Sequence, residues 1–433
     1  MYGRVLYLFL RDLRIKNNNA FYDAVKNSIE LIPLFIFEEK EYNLFQRKFL
    51  ISALFLLNLE LEKLKSLLYV VNSYFSYETL NFIYERIKPE AIYLNKDFTW
   101  KFEEKEKLLE DFCRKKGIVL KFYDGNFLVN PMLIDKRKVF TPFYKKWVNY
   151  LDVKDYTEME NIPFINTPLV EITKFRDLEI LKEADLKIIN SGFNRLKEFD
   201  FETYDKNRNF LSIDGTSKLS PFINFGVISI KEIYKKIKNI YNSQFLKELA
   251  FREFWYHIRL NFPETRNIEF QEKKRKISWL NNDYFIEKFK KGETGYPIID
   301  ACIRQLISEG WINNRARMLL ASFLTKTLLT DWRIGEKFFK DFLVDYDEVL
   351  NIQNWQWSAS VGADPRPLRI FNPILQSQRY DSDCIFIKKY IPELKNEECY
   401  KIHNPLKYKI SYVKPIVNFY IQRDIARNLY KKM

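Results

Sequence analysis

The chain has 433 residues, is 47% hydrophobic, and carries 71 Lys+Arg against 57 Asp+Glu, a net charge of +14. That length and apolar content build two or three domains with substantial cores and exclude a disordered protein, while the basic balance favours a polyanionic partner. No stretch reads as a membrane span or signal peptide, two histidines exclude a multi-histidine metal site, and the four scattered cysteines show no CxxC spacing. Neither a disulfide framework nor a zinc or iron–sulfur site is therefore expected, and a reducing cytoplasm is the fitting compartment.

In chain order, Val5–Leu10, Leu31–Phe37, Leu67–Val71, Ala91–Leu94 and Ile118–Phe122 read as short buried strands. The segments between them, such as Phe45–Lys65 and Phe102–Lys116, have helical periodicity. This alternation predicts a doubly wound parallel α/β domain over residues 1–130. No GxGxxG or GxxxxGK[ST] occurs in it, so no dinucleotide or P-loop site is announced. Arg11-Asp12-Leu13-Arg14 follows the first strand at the carboxyl edge of the sheet and reads either as a ligand loop or as a solvated turn.

Over residues 131–200 the strand pattern is lost, and the Asn/Pro/Lys-rich runs Asn130–Pro142 and Asn161–Pro168 predict a surface connector. From 201 to 433 the chain reads as all-α, with helices over Phe245–Phe262, Thr294–Glu309, Asn314–Leu329 and Gly335–Asp345.

Several segments carry chemistry. Gly215-Thr216-Ser217-Lys218-Leu219-Ser220-Pro221 precedes a predicted helix at Phe222–Gly226 and reads either as a phosphate-binding helix start or as simple N-capping. Glu248 and Arg252 lie four apart on one helical face, the spacing of an i,i+4 ion pair. Asn314, Arg315, Arg317 and Met318 interrupt an apolar helix, and a buried arginine there needs a carboxylate such as Asp345 or Asp347. The stretch from Asn351 to Pro373 crowds Trp355, Trp357, Arg366 and Arg369 together, a composition for a flat, polar, anionic ligand. Trp279, Trp332 and Trp355 read singly as core; in a line they could carry an electron.

The motifs Leu8–Arg14, Val139–Trp147, Gly215–Ser220, Arg252-Glu253-Phe254, Thr294–Pro297, Trp311–Met318, Asp331-Trp332-Arg333 and Trp355–Pro373, in this order, resemble the photolyase/cryptochrome family. Within it they are most similar to the class I cyclobutane pyrimidine dimer photolyases. The resemblance implies an α/β antenna domain, a linker and an all-α FAD-binding domain. It implies that reduced FAD, excited by light, passes an electron to a pyrimidine dimer flipped out of DNA. Carried over by motif, Tyr204, Thr216, Ser217, Leu219, Ser220, Phe245, Arg252, Asn314, Arg317, Asp345, Asp347 and Asn351 bind the flavin, with Asn351 next to its N5. Glu248, Asn351, Met318 and Trp357 serve the dimer; Arg208, Glu248, Phe251, Asn314, Arg315, Trp357 and Arg369 meet the DNA, the arginines at phosphates. Trp355, Trp332 and Trp279 match the photoreduction chain.

Two positions depart from the family pattern: Phe251 and Phe245 stand where tryptophans are usual, and weaker dimer stacking is expected. Asn95–Glu106 does not reproduce the folate-contacting pattern, so a folate, deazaflavin or flavin antenna, or none, fits equally. The expected partner is dimer-containing DNA, with no membrane, no metal and a monomeric chain. The alternative on the same scaffold is a cryptochrome-like blue-light receptor.

Overall fold

A computed structural model describes residues 1–151, 164–240, 243–364 and 368–431. Part of the expected connector and Arg366 lie outside the described residues. Packing divides the chain into two compact units that are interleaved in sequence. The first takes residues 1–135, 144–199 and 217–241; the second takes 136–143, 200–216 and 242–433.

In the first unit all five expected strands form: β1 (Tyr2–Phe9), β2 (Ser28–Phe37), β3 (Tyr69–Asn72), β4 (Ala91–Asn95) and β5 (Val119–Tyr123). They pair in parallel in the order β3-β2-β1-β4-β5, with Val5 opposite both Leu31 and Ala91. Helices on the faces explain the near-continuous apolar runs of β1, β2 and β4, which are covered on both sides, whereas the edge strand β5 is only partly buried. Leu6, Ile32, Leu34, Ile92 and Leu94 meet Phe112 and Ile83 in one core. The expected connector contributes to this unit: Val70 N–H donates to Thr173 O (2.9 Å) and Leu31 N–H to Asn166 O (3.0 Å).

The loop after β1 is neither solvated nor open. Asp12 is fully buried, accepting from the Tyr7 hydroxyl (2.6 Å), Asn95 Nδ2 (2.6 Å) and Leu10 N–H (2.8 Å). Arg14 donates to Gly226 O (2.9 Å) and Gly125 O (2.8 Å). Gly226 has φ +69°, and a Cβ there would strike the Arg11 backbone, so this close approach needs glycine.

The second unit is helical. Gln244–Asn261 matches its expectation within one residue. The helix expected from Thr294 begins at Pro297, because Thr294 and Gly295 turn their N–H groups onto the buried Asp300 carboxylate (2.7 and 3.1 Å). The helix expected to run to Leu329 stays α only over Asn314–Ser322 and continues as a π-helix over Phe323–Thr327. There the Thr325 hydroxyl bonds Ala321 O (2.7 Å), competing with the regular ladder. Trp332–Phe342 starts three residues earlier than expected, capped by Asp331, whose carboxylate accepts from Arg333 N–H (2.9 Å).

The cysteine expectation is overturned. Cys384 and Cys399 are disulfide-bonded with Cα atoms 5.6 Å apart, while Cys113 and Cys302 are free and buried. The pairing joins the start of helix Ile385–Tyr390 to helix Cys399–Ile402 across a short return of the chain. CxxC spacing carries no information about such a long-range pair. Among the described residues no helix is long and apolar enough to cross a membrane.

Candidate functional site

The second unit gathers most of the expected residues on four helices. Asp345, 8% exposed, accepts from Arg317 Nη2 through both carboxylate oxygens (3.0 and 2.8 Å), as the arginine-rich helix requires. Asp347 caps helix Glu348–Ser358 through Leu350 N–H (2.9 Å) and accepts from the Tyr256 hydroxyl (2.5 Å). One turn on, Asn351 turns its amide nitrogen onto Glu336, bonding the backbone oxygen and Oε1 at 3.0 Å each. Burial pushes the Glu336 carboxyl upward, and the Tyr346 hydroxyl (2.9 Å) and Asn351 amide act against it. Arg252, half-buried on Gln244–Asn261, holds its guanidinium 5.2 Å from the Tyr256 ring centre.

Glu248 lies on the same helix but does not make the expected ion pair with Arg252. It pairs with Arg208, and Gln244 Nε2 donates to the same oxygen (2.9 Å). Arg208 reaches it from a separate short helix, so tertiary proximity replaces the local spacing. Asn313 Nδ2 donates to Arg208 O (3.1 Å), fixing this pair to the start of helix Asn314–Ser322. On that helix Asn314 is exposed with its amide 3.8 Å from Met318 Sδ. Arg315 donates to Asn209 Oδ1 (2.7 Å) with its guanidinium 4.4 Å from the Tyr380 ring centre. Burial pulls the Arg315 pKa down from its ordinary value.

The aromatic positions are packed as follows. Phe245 meets Phe201 and Tyr204 edge-on, each at 4.9 Å. Phe251 stacks face to face on Phe140, 3.4 Å between ring centres and 7° between planes. Trp355 is buried, edge-on to Phe339 at 4.9 Å, and its ring lies where a side chain on Gly335 would go. Gly335 is one turn along from Trp332, whose Nε1 donates to Glu269 (3.1 Å). Trp279 is half-buried beside this helix start, since Leu280 N–H bonds Leu329 O (2.8 Å) and Asp331 N–H bonds Asn281 (2.8 Å). Trp355, from helix Glu348–Ser358, thus packs on the helix that Trp332 opens, and Trp279 lies in the segment bonded to that helix's start.

Thr216 belongs to the second unit and is half-buried; Ser217, Leu219 and Ser220 belong to the first. The helix expected after them spans only Ser220–Asn224, too short for a helix dipole to serve as a phosphate site. Arg369 is exposed, and its backbone oxygen accepts from Lys326 Nζ (2.8 Å).

Glu336, Gln244, Tyr256, Asn209 and Tyr380 went unread in the sequence. Gln244, four residues before Glu248 on one face, carried a signal; the others are brought in by tertiary packing alone.

The indole nitrogens of Trp355 and Trp357 and Nε of Arg315 are buried without a hydrogen-bond partner among the described residues. Unused donors, two buried carboxylates and an arginine row fit a large ligand carrying ring acceptors, hydroxyls and phosphates, as FAD does.

Residues 245–432 match the FAD-binding domain of DNA photolyase, which places the chain in the class of FAD-binding proteins. Residues 5–163 match the amino-terminal DNA photolyase domain. A deoxyribodipyrimidine photo-lyase of Buchnera aphidicola from Acyrthosiphon pisum is 35% identical over 99% of this chain and 96% of its own length. The chain belongs to the DNA photolyase family. An archaeal photolyase from Sulfolobus tokodaii, solved with two FAD molecules, superposes with a TM-score of 0.88 at 31% identity, over 99% of this chain and all of that one. A class III photolyase from Agrobacterium tumefaciens gives 0.87 at 28% identity, over 100% and 98%.

Proposed function

We propose that this chain is a class I deoxyribodipyrimidine photo-lyase that splits cyclobutane pyrimidine dimers in DNA under light. The observation that carries the reading is that Trp355, on helix Glu348–Ser358, packs against Gly335 of the helix that Trp332 opens, while the same helix Glu348–Ser358 carries Asn351 and is capped by Asp347. Bound FAD, in its reduced form, supplies a photoexcited electron to the dimer. Tyr204, Thr216, Phe245, Arg252, Asn314, Arg317, Asp345, Asp347 and Asn351 hold it, the carboxylates accepting from its hydroxyl and amine groups. Ser217, Leu219 and Ser220, expected at its phosphates, carry that role on the resemblance alone. Asn351, steered by Glu336, presents an amide rather than a charge to the flavin ring.

On the substrate side, Glu248 hydrogen-bonds the flipped dimer while Arg208 and Gln244 hold its carboxylate in place. Trp357 offers a stacking face with a free indole N–H, and Met318 walls the cavity. Phe251, supported flat against Phe140, supplies the second face in place of the usual indole. Arg208, Arg315 and Arg369 take phosphates and position DNA without reading its sequence. Trp355, Trp332 and Trp279 would pass electrons inward toward a bound flavin. Residues 1–130 serve as the antenna domain. Of the antenna classes a flavin is favoured, because the archaeal relative is described with two FAD molecules. The chain works as a monomer in the DNA-bearing cytoplasm, since one flipped lesion occupies one chain.

The test is direct: reduced, flavin-loaded protein is mixed with dimer-containing DNA and illuminated with near-ultraviolet or blue light. Recovery of thymine absorbance is expected. Flavin-loaded protein that restores none would turn the assignment toward a light receptor.

A further inference from the structure

Away from that site, four donor atoms of kinds that bind metal converge among the C-terminal helices. Nε2 of His403 lies 3.4 Å from Cys399 Sγ, 3.7 Å from Cys384 Sγ and 3.3 Å from the Ser382 carbonyl oxygen. That oxygen is 3.0 Å from Cys399 Sγ. The other ring nitrogen, Nδ1, is 2.7 Å from Ser377 Oγ. Four donors about 2.0–2.3 Å from one tetrahedral zinc ion stand about 3.3–3.8 Å from each other. Apart from the bonded sulfur pair, these separations already lie in or close to that range.

We propose that the Cys384–Cys399 disulfide is one of two states of this cluster, and that the reduced state binds one zinc ion through Cys384 Sγ, Cys399 Sγ, His403 Nε2 and Ser382 O. A disulfide has no use for an imidazole aimed at it; a thiolate-bound cation does. Ser377 Oγ meets Nδ1 at 2.7 Å, so that with the proton on Nδ1 the Nε2 lone pair faces the sulfurs, the arrangement of a ligand histidine fixed from behind. Two thiolates, a neutral imidazole and a carbonyl exactly offset a divalent charge, so the loaded site is neutral and tolerates its burial. Soft thiolates select zinc over magnesium or calcium. The spacing Cys399-x-x-x-His403 puts two ligands on one helical turn, a signal the sequence held once CxxC was set aside.

The chemistry balances. A dithiol reductant gives two electrons and two protons to the disulfide, breaking the S–S bond and becoming a disulfide itself. Each new thiol then releases its proton to solvent as its sulfur binds the cation. Cys399 is only half-buried, so a reductant reaches it. The site ties helix Pro373–Tyr380, through Ser377, to the two short helices that follow. Tyr380, one turn beyond Ser377, is the ring beneath Arg315.

The test uses full-length flavin-loaded protein reduced anaerobically with a dithiol, exposed to zinc chloride and desalted. One zinc per chain is expected by elemental analysis, and none in oxidised or thiol-alkylated protein. Cobalt chloride in place of zinc should give tetrahedral d–d bands and thiolate-to-cobalt charge transfer. Ser377→Ala, which keeps every ligand, should weaken zinc affinity about 10- to 100-fold while leaving flavin absorbance intact. A disulfide that resists reduction in the folded protein, reduced protein without zinc, or zinc equally bound by Cys399→Ser would overturn the proposal. None of these readouts depends on repair, so failure of the photolyase assignment is seen separately.

Discussion

Glu248 and Asp345 are both carboxylates paired with arginine, yet they differ in what surrounds them. Asp345 is nearly buried and its side chain spans a single arginine nitrogen, whereas Glu248 stands half-open with one oxygen committed to Arg208 and Gln244. Removing Asp345 therefore strips a partner from Arg317 in a desolvated setting, at a cost of about 2–4 kcal/mol, and Asp345→Ala should lose the flavin absorbance on purification. Glu248→Ala should keep the flavin and lower repair by roughly tenfold, the loss of one charged hydrogen bond of about 1.5 kcal/mol. The opposite pattern, measured by flavin content and repair yield together, would exchange their roles. The Arg317–Asp345 pairing was legible because a buried guanidinium needs a carboxylate, and few were near in sequence. The Arg208–Glu248 pairing was not, since the i,i+4 spacing to Arg252 offered a plausible local answer that tertiary packing overrode.

At the level of elements, buried strands were read to within three residues at either end because continuous apolar runs leave few alternatives. The break at Phe323 was invisible: the apolar pattern continues, and only the Thr325 hydroxyl on Ala321 O marks the change. This π-helix buries Lys326, 4% exposed, with Nζ on the Arg369 carbonyl. Burial pulls that ammonium down to about 7. The unfolded chain keeps its proton up to about pH 10.4, so between these values unfolding takes up a proton and stability rises with pH. Below pH 7 both states are protonated and the full penalty applies. Wild type should therefore gain about 2 kcal/mol relative to Lys326→Met between pH 7 and 9, measured by urea unfolding; parallel curves would place the lysine in contact with water. On the neighbouring helix, Gly335→Ala drives a methyl into the Trp355 ring. Overpacking of this kind costs about 1–3 kcal/mol, and slower flavin photoreduction should accompany the lower urea midpoint. An unchanged midpoint would mean the ring moves aside freely.

Across the whole molecule the net +14 is the part of function most readily read from composition. If Arg208, Arg315 and Arg369 each neutralise a phosphate, the logarithm of DNA affinity falls with the logarithm of salt by about 0.9 per contact. Arg315→Gln should reduce that slope by about one, measured by fluorescence anisotropy from 50 to 200 mM salt; an unaltered slope would remove Arg315 from the phosphate set. Linear order, by contrast, concealed how the units are assembled. A composition shift near residue 130 suggests a boundary, but residues 217–241 return to complete the first unit.

That return has a bearing on synthesis. Leu13 N–H bonds Phe225 O at 3.1 Å, and Arg14 bonds Gly226 O, so a nascent chain that has displayed only its first 130 residues lacks the segment that closes the loop after β1. The ribosome must deliver nearly one hundred further residues before the amino-terminal sheet is sealed. A fragment ending at residue 130 should be protease-sensitive, whereas one reaching residue 241 should yield a resistant core, and early resistance in the shorter piece would show that the returning segment is dispensable.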